Sequence, residues 1–95
     1  MVAYPNASTD NPSYMVIDNN HMYVVEEVPS GNVVGYNISQ QNYTLTKINA
    51  ITFSGAYPAH LTYFNNHLLI ANYGDGETAK SGVELLPLDA SGNIS

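Results

Sequence analysis

The chain reads as all-β, assembled from a repeated unit, on three observations. Pro12 and Pro58 stand 46 residues apart, and Asn19-Asn20-His21 recurs as Asn65-Asn66-His67 at the same offset. No stretch carries the i, i+3, i+4 apolar spacing of an amphipathic helix, and Gly, Pro and Asn clusters interrupt the chain every ~8–12 residues. The segments between these clusters are apolar at successive positions, as in Tyr14-Met15-Val16-Ile17 and Leu68-Leu69-Ile70-Ala71. Such strands should be covered on both faces. A strand-rich unit recurring at roughly 40–50 residues is the mark of a β-propeller blade, a radial sheet packed between two neighbours.

Each element follows from its local residues. The first copy divides into strands at about 13–18, 22–27, 32–39 and 43–53. The first is the Tyr-Met-Val-Ile run, bounded by Pro12 and by Asn19-Asn20, where a tight reversal needs residues that tolerate φ > 0. The second holds Met22-Tyr23-Val24-Val25, aromatic and β-branched residues that favour strands. The third follows Gly31 and ends at Ser39-Gln40-Gln41-Asn42. The fourth, with Thr44, Thr46, Lys47 and Asn49, is more polar and suits the outer rim. The second copy gives strands at 59–64, 68–73 and 82–89, then stops at Ser95 where its fourth should begin. The expected division is a lead-in over 1–10, a blade over 11–53 and an incomplete blade over 54–95. Propellers close with about 4–8 blades, so this chain is expected to need further blades of a longer protein, or self-association.

Composition excludes several classes of partner. The 95 residues carry a net charge of −6, with Lys47 and Lys80 the only strong bases. Nucleic acid and anionic membrane are therefore not expected, because phosphates are neutralised by Lys and Arg. Cysteine is absent, so disulfide and thiolate chemistry are excluded. The first residues show neither a basic nor an apolar signal region, and the expectation is a cytoplasmic protein. Asn6, Asn37, Asn42 and Asn93 fit the glycosylation pattern, which an Asn-rich chain produces by accident. Asp75-Gly76-Glu77 lacks the alternating oxygen ligands of a Ca²⁺ loop, and neither a metal nor another cofactor is expected. Ser54 and Ser81 lack a nucleophile-elbow context.

Residues 11–16 and 22–27 resemble a recurrent blade of the seven-bladed lactonase propellers, the family of bacterial 6-phosphogluconolactonase and fungal carboxymuconate cyclase. The second copy is closer. Gly55-Ala56-Tyr57-Pro58-Ala59-His60 is similar to the family's Gly…Pro-x-His opening. Leu69-Ile70-Ala71-Asn72-Tyr73-Gly74 is similar to its Val-Ala-Asn-Tyr-Gly, and Leu86-Pro87-Leu88-Asp89 with Gly92 to its close. The resemblance spans about 11–95. Glu26-Glu27 stands where the family has Asn-Glu, and the loop 74–81 carries inserted residues. The resemblance implies hydrolysis of a sugar lactone such as 6-phosphogluconolactone, with a lactonizing cyclase or a non-catalytic binding propeller as alternatives. It further implies that the chain alone is inactive.

Antiparallel order locates the chemistry. Loops 27–31 and 74–81 and the connection 54–58 fall on one rim, and both Asn-Asn-His turns on the other. His60, at the start of an innermost strand, is the leading candidate general base, although a histidine there also serves as a strand cap. His21 and His67 read as turn residues. Glu27 is a second candidate base or a histidine-orienting carboxylate, against a structural role at the strand end. Asn72 is a candidate oxyanion donor or a loop cap. Tyr73 is expected to pack between blades or line the channel. Lys80 is a candidate phosphate contact, against an exposed loop lysine.

Overall fold

The computed structural model of the chain describes residues 10–76 and 81–95. These form seven strands: β1 (Pro12–Asp18), β2 (His21–Glu26), β3 (Asn32–Ile38), β4 (Leu45–Thr52), β5 (Pro58–Phe64), β6 (His67–Asn72) and β7 (Gly82–Pro87). They make two antiparallel sheets, β1-β2-β3-β4 and β5-β6-β7, each in chain order. No helix occurs among the described residues. The strands lie where the sequence predicts them, with ends shifted by one or two residues.

The repeat holds in conformation as well as in letters. Each sheet opens with the same bulge, between Pro12 and Tyr14 in β1 and between Pro58 and His60 in β5. The residues preceding the two prolines, Asn11 and Tyr57, both take positive φ, as do the turn residues Asn19 and Asn65. Position for position, Tyr14 corresponds to His60, Glu26 to Asn72 and Glu27 to Tyr73. Past the longer second loop, the pairings Glu26↔Asn32 and Asn72↔Gly82 make Asn32 the counterpart of Gly82.

The core lies between the two sheets. Tyr23, Val25 and Val33 of the first pack against Leu61, Leu68 and Ile70 of the second, joined by Ile94. Burying each such aliphatic side chain contributes about 1.5–3 kcal/mol. Ile94 lies beyond β7, in an isolated antiparallel bridge with Leu88, and Ser95 N donates to Pro87 O at 2.9 Å. Asn49 of β4 grips the Ile94 backbone from the first blade. Its Nδ2 donates to Ile94 O at 2.9 Å and its Oδ1 accepts from Ile94 N at 3.1 Å. The Tyr23 hydroxyl donates to Gly92 O at 2.9 Å. The turn ahead of Ile94 is built on Asp89, whose carboxylate accepts from Ser91 N, Asn93 N and Asn93 Nδ2. Those bonds, from Asn93 foremost, hold its carboxyl below the ordinary carboxylate range.

Full coverage of both faces is not realised everywhere. In the first sheet Val24, Val34 and Tyr36 form a second buried cluster on the face away from the core. On the second sheet's outer face Leu69, Val83 and Leu85 are 36, 66 and 56 % exposed. In the first sheet the corresponding positions, Tyr23, Val33 and Gly35, are covered by the second sheet. Among the described residues no third sheet lies against that face. On β1, Tyr14, Met15 and Ile17 are also exposed.

Candidate functional site

The rim predicted to hold the chemistry is knitted together by main-chain hydrogen bonds. The connection from β4 to β5 runs between the loops that follow β2 and β6. Gly31 N donates to Gly55 O and Tyr57 N to Val28 O on one side. Tyr73 N donates to Tyr57 O and Gly74 N to Ala56 O on the other, all four at 2.9 Å. The bond Glu27 N to Asn11 O repeats Tyr73 N to Tyr57 O one blade earlier. Peptide groups here are spent on each other, which fixes the places of the side chains that project from the rim.

His60 is exposed, near the rim end of β5. Its ring lies 4.4 Å from that of Tyr14, centroid to centroid and tilted by 47°, so each ring restricts the other. The two line a shallow groove with Ile17 and Thr62 along β1 and β5, the wall expected to face a propeller's channel. Glu27 is half-buried just beyond β2. Its neighbour Glu26 is committed to structure, with Oε2 accepting from Asp10 N at 2.7 Å and Oε1 from Asn32 Nδ2 at 2.6 Å. Tyr73 is 80 % exposed in this chain, just beyond the end of β6 at Asn72. Lys80 lies outside the described residues.

Asn72 lines a different cleft from His60. It follows Leu68 and Ile70 on the face of β6 turned toward the first blade and is buried. Gly55 closes over it: a Cβ on Gly55 would stand 2.1 Å from Asn72 Nδ2, so only glycine fits. Asn72 Oδ1 is buried and accepts no hydrogen bond among the described residues, a situation that costs about 1–3 kcal/mol. A cleft of about 410 Å³ adjoins it, bounded by Ser54 and Gly55 on one side and by Ser81, Gly82 and Glu84 on the other. Sequence reasoning passed over this cleft, since neither the close approach of Gly55 nor the position of Glu84 has a sequence signature.

The opposite rim carries a smaller cleft of about 180 Å³ between Asp18, His21, Tyr63 and Gly92. Here His67 Nδ1 donates to Asn65 O at 2.8 Å, in keeping with a turn residue, and His21 packs on Gly92. Burial pushes the Tyr23 hydroxyl up to about 12, with the nearby Tyr63, Asp18 and Asp89 adding to the effect. Among the described residues no group of three or more His, Asp and Glu side chains is placed to share a metal ion.

Comparison with known proteins agrees with this geometry. No curated protein matches the sequence. Among solved structures, a Bacteroides fragilis protein assigned as a 6-phosphogluconolactonase superposes with a TM-score of 0.77 at 25 % identity, over 90 % of this chain and 24 % of that one. The periplasmic gluconolactonase of Pseudomonas aeruginosa superposes with a TM-score of 0.82 at 24 % identity, over 94 % of this chain and 27 % of that one. The chain thus spans about a quarter of each protein, and the second likeness concerns the fold alone. The sequence profile of the family described as Lactonase, 7-bladed beta-propeller, matches residues 3–95. With two like-built sheets packed face to face and that match along nearly its whole length, the chain belongs to the seven-bladed β-propeller lactonase family.

Proposed function

We propose that this chain supplies two neighbouring blades to a ring that hydrolyses a sugar lactone of the 6-phosphogluconolactone type. The observation that carries the reading is His60, exposed at the rim end of an innermost strand with its ring lodged against Tyr14. In this reading a water attacks the ring carbonyl as His60 takes its proton. The ring C–O bond then breaks, and the leaving oxygen receives a proton to give the hydroxy acid. Glu27, half-buried on the same rim, is the second candidate base or orients the attacking water. Tyr73, exposed just past β6, is proposed to contact the sugar. Lys80 is proposed as a phosphate contact, with the remaining cations supplied by other blades. The partners implied are a small-molecule lactone and further blades, from the same protein or from self-association. The uncovered Leu69, Val83 and Leu85 favour such a neighbour.

The test is δ-lactone hydrolysis by the assembled ring, followed by pH-stat. His60→Gln is expected to lower kcat by about 10²–10⁴, the usual worth of a general base. Unchanged turnover in that variant would exclude His60. The chain without further blades is expected to show no turnover.

A further inference from the structure

The two blades differ at one place where the repeat should make them alike. In the first, a relay of side chains fills the rim end of the sheet. Asn32 Nδ2 donates to Glu26 Oε1 at 2.6 Å, and Thr52 Oγ1 donates to Asn32 Oδ1 at 3.1 Å. In the second, Asn72 takes the place of Glu26 and Gly82 that of Asn32. The described second sheet has three strands, so Thr52 has no counterpart in it. Asn72 therefore keeps an acceptor whose donor has been removed, beside the space that the donor would have filled.

That space is the 410 Å³ cleft. Asn72, which lines it, is only 7 % exposed, and its Oδ1 has no hydrogen bond among the described residues. Gly55 packs against its amide and holds it in place. Glu84 contributes a carboxylate whose one hydrogen bond among the described residues, from Ser54 Oγ, is long at 3.5 Å. No cation pairs with it among the described residues, and Lys47 sits far along β4, paired with Tyr36. The Ser54 and Ser81 hydroxyls complete the polar lining. A buried acceptor without a donor calls for an explanation, and a cleft with a few convergent polar groups is where ligands bind.

The lining selects the ligand. An amide oxygen and a carboxylate accept only, while the hydroxyls do either. An anion would meet Glu84 in a chain of net charge −6. A neutral alcohol would leave the carboxylate without a counter-charge. A quaternary ammonium has the charge and no N–H. A primary ammonium has the charge and three N–H donors, one each for Asn72 Oδ1, the Glu84 carboxylate and a serine hydroxyl. We propose that the cleft between the blades binds the primary ammonium group of a small molecule, with Asn72 and Glu84 as its principal acceptors. This site is separate from the groove that holds His60, and it stands or falls independently of the lactone chemistry.

The probe is methylammonium chloride, titrated into the ¹⁵N-labelled chain at ionic strength held constant with NaCl. Saturable shifts are expected at Gly55, Ser81, Gly82, Glu84 and the Asn72 side-chain amide. Glu84→Gln should weaken the affinity at least tenfold, while Asn72→Asp, which keeps the shape and adds charge, should strengthen it severalfold. Both variants are near-isosteric, and their spectra report whether the fold is kept. Equal shifts with tetramethylammonium or with methanol would overturn the proposal. So would an affinity indifferent to Glu84→Gln in a folded variant, or shifts that never saturate.

Discussion

Two residues far from the proposed chemistry govern how tightly the blades hold each other. Tyr23 is buried with its hydroxyl bonded to Gly92 O, and its pKa rises from 10.0 to about 12. The folded state thus holds this proton more tightly than the unfolded chain does. The stabilisation is complete below pH 10, where the unfolded phenol is protonated too, and fades as pH rises toward 12. Urea titrations at pH 8 and pH 11 should show the wild type losing more stability than Tyr23→Phe, which cannot ionise. Asn49 makes two bonds to the Ile94 backbone. Asn49→Ala strands that peptide group and should cost about 1–3 kcal/mol, read from the urea midpoint. The position of His60 near the start of β5 was legible from the strand pattern. The end of β6 at Asn72 was not, because Ile70-Ala71-Asn72-Tyr73 contains nothing that ends a strand there. Nor could the isolation of Asn72 be read, since it depends on the contact with Gly55 across the blade boundary.

Among the elements, the hairpin turns were the most legible and the connection between blades the least. Asn19 and Asn65 adopt φ of 53° and 48°, the conformation Asn tolerates better than other non-glycine residues. Asn65→Gly should accordingly leave thermal stability nearly unchanged, whereas Asn65→Val should lower it by about 1–2 kcal/mol, since a β-branched residue resists positive φ. A calorimetric comparison of the two variants separates backbone strain from loss of the side chain. Tyr57 takes φ of 54° without being a residue suited to it. Its peptide group is fixed by donating to Val28 O and accepting from Tyr73 N, so tertiary bonding overrides local preference there. Strand positions were readable because apolar runs and turn residues alternate at blade spacing. The bulges after Pro12 and Pro58 were not, since they insert a residue without any change of composition.

At the scale of the whole molecule, the second sheet's outer face is the dominant feature. Leu69, Val83 and Leu85 form an apolar surface with no cover among the described residues, the kind of patch that drives association. The chain by itself should sediment as associated species. Val83→Lys with Leu85→Lys should shift it toward monomer while leaving the melting temperature nearly unchanged, because neither side chain is in the core between the sheets. Sedimentation velocity and calorimetry on the double variant check both halves of this expectation. The clasp at Ile94 bears on biosynthesis. The first sheet's inner wall is finished by atoms that lie far downstream, for Gly92 O comes 69 residues after the tyrosine it receives. At translation rates of roughly 5–20 residues per second, that lag is about 3–14 s. During it the nascent leading blade holds its strands but waits, unsealed, for its successor to leave the ribosome.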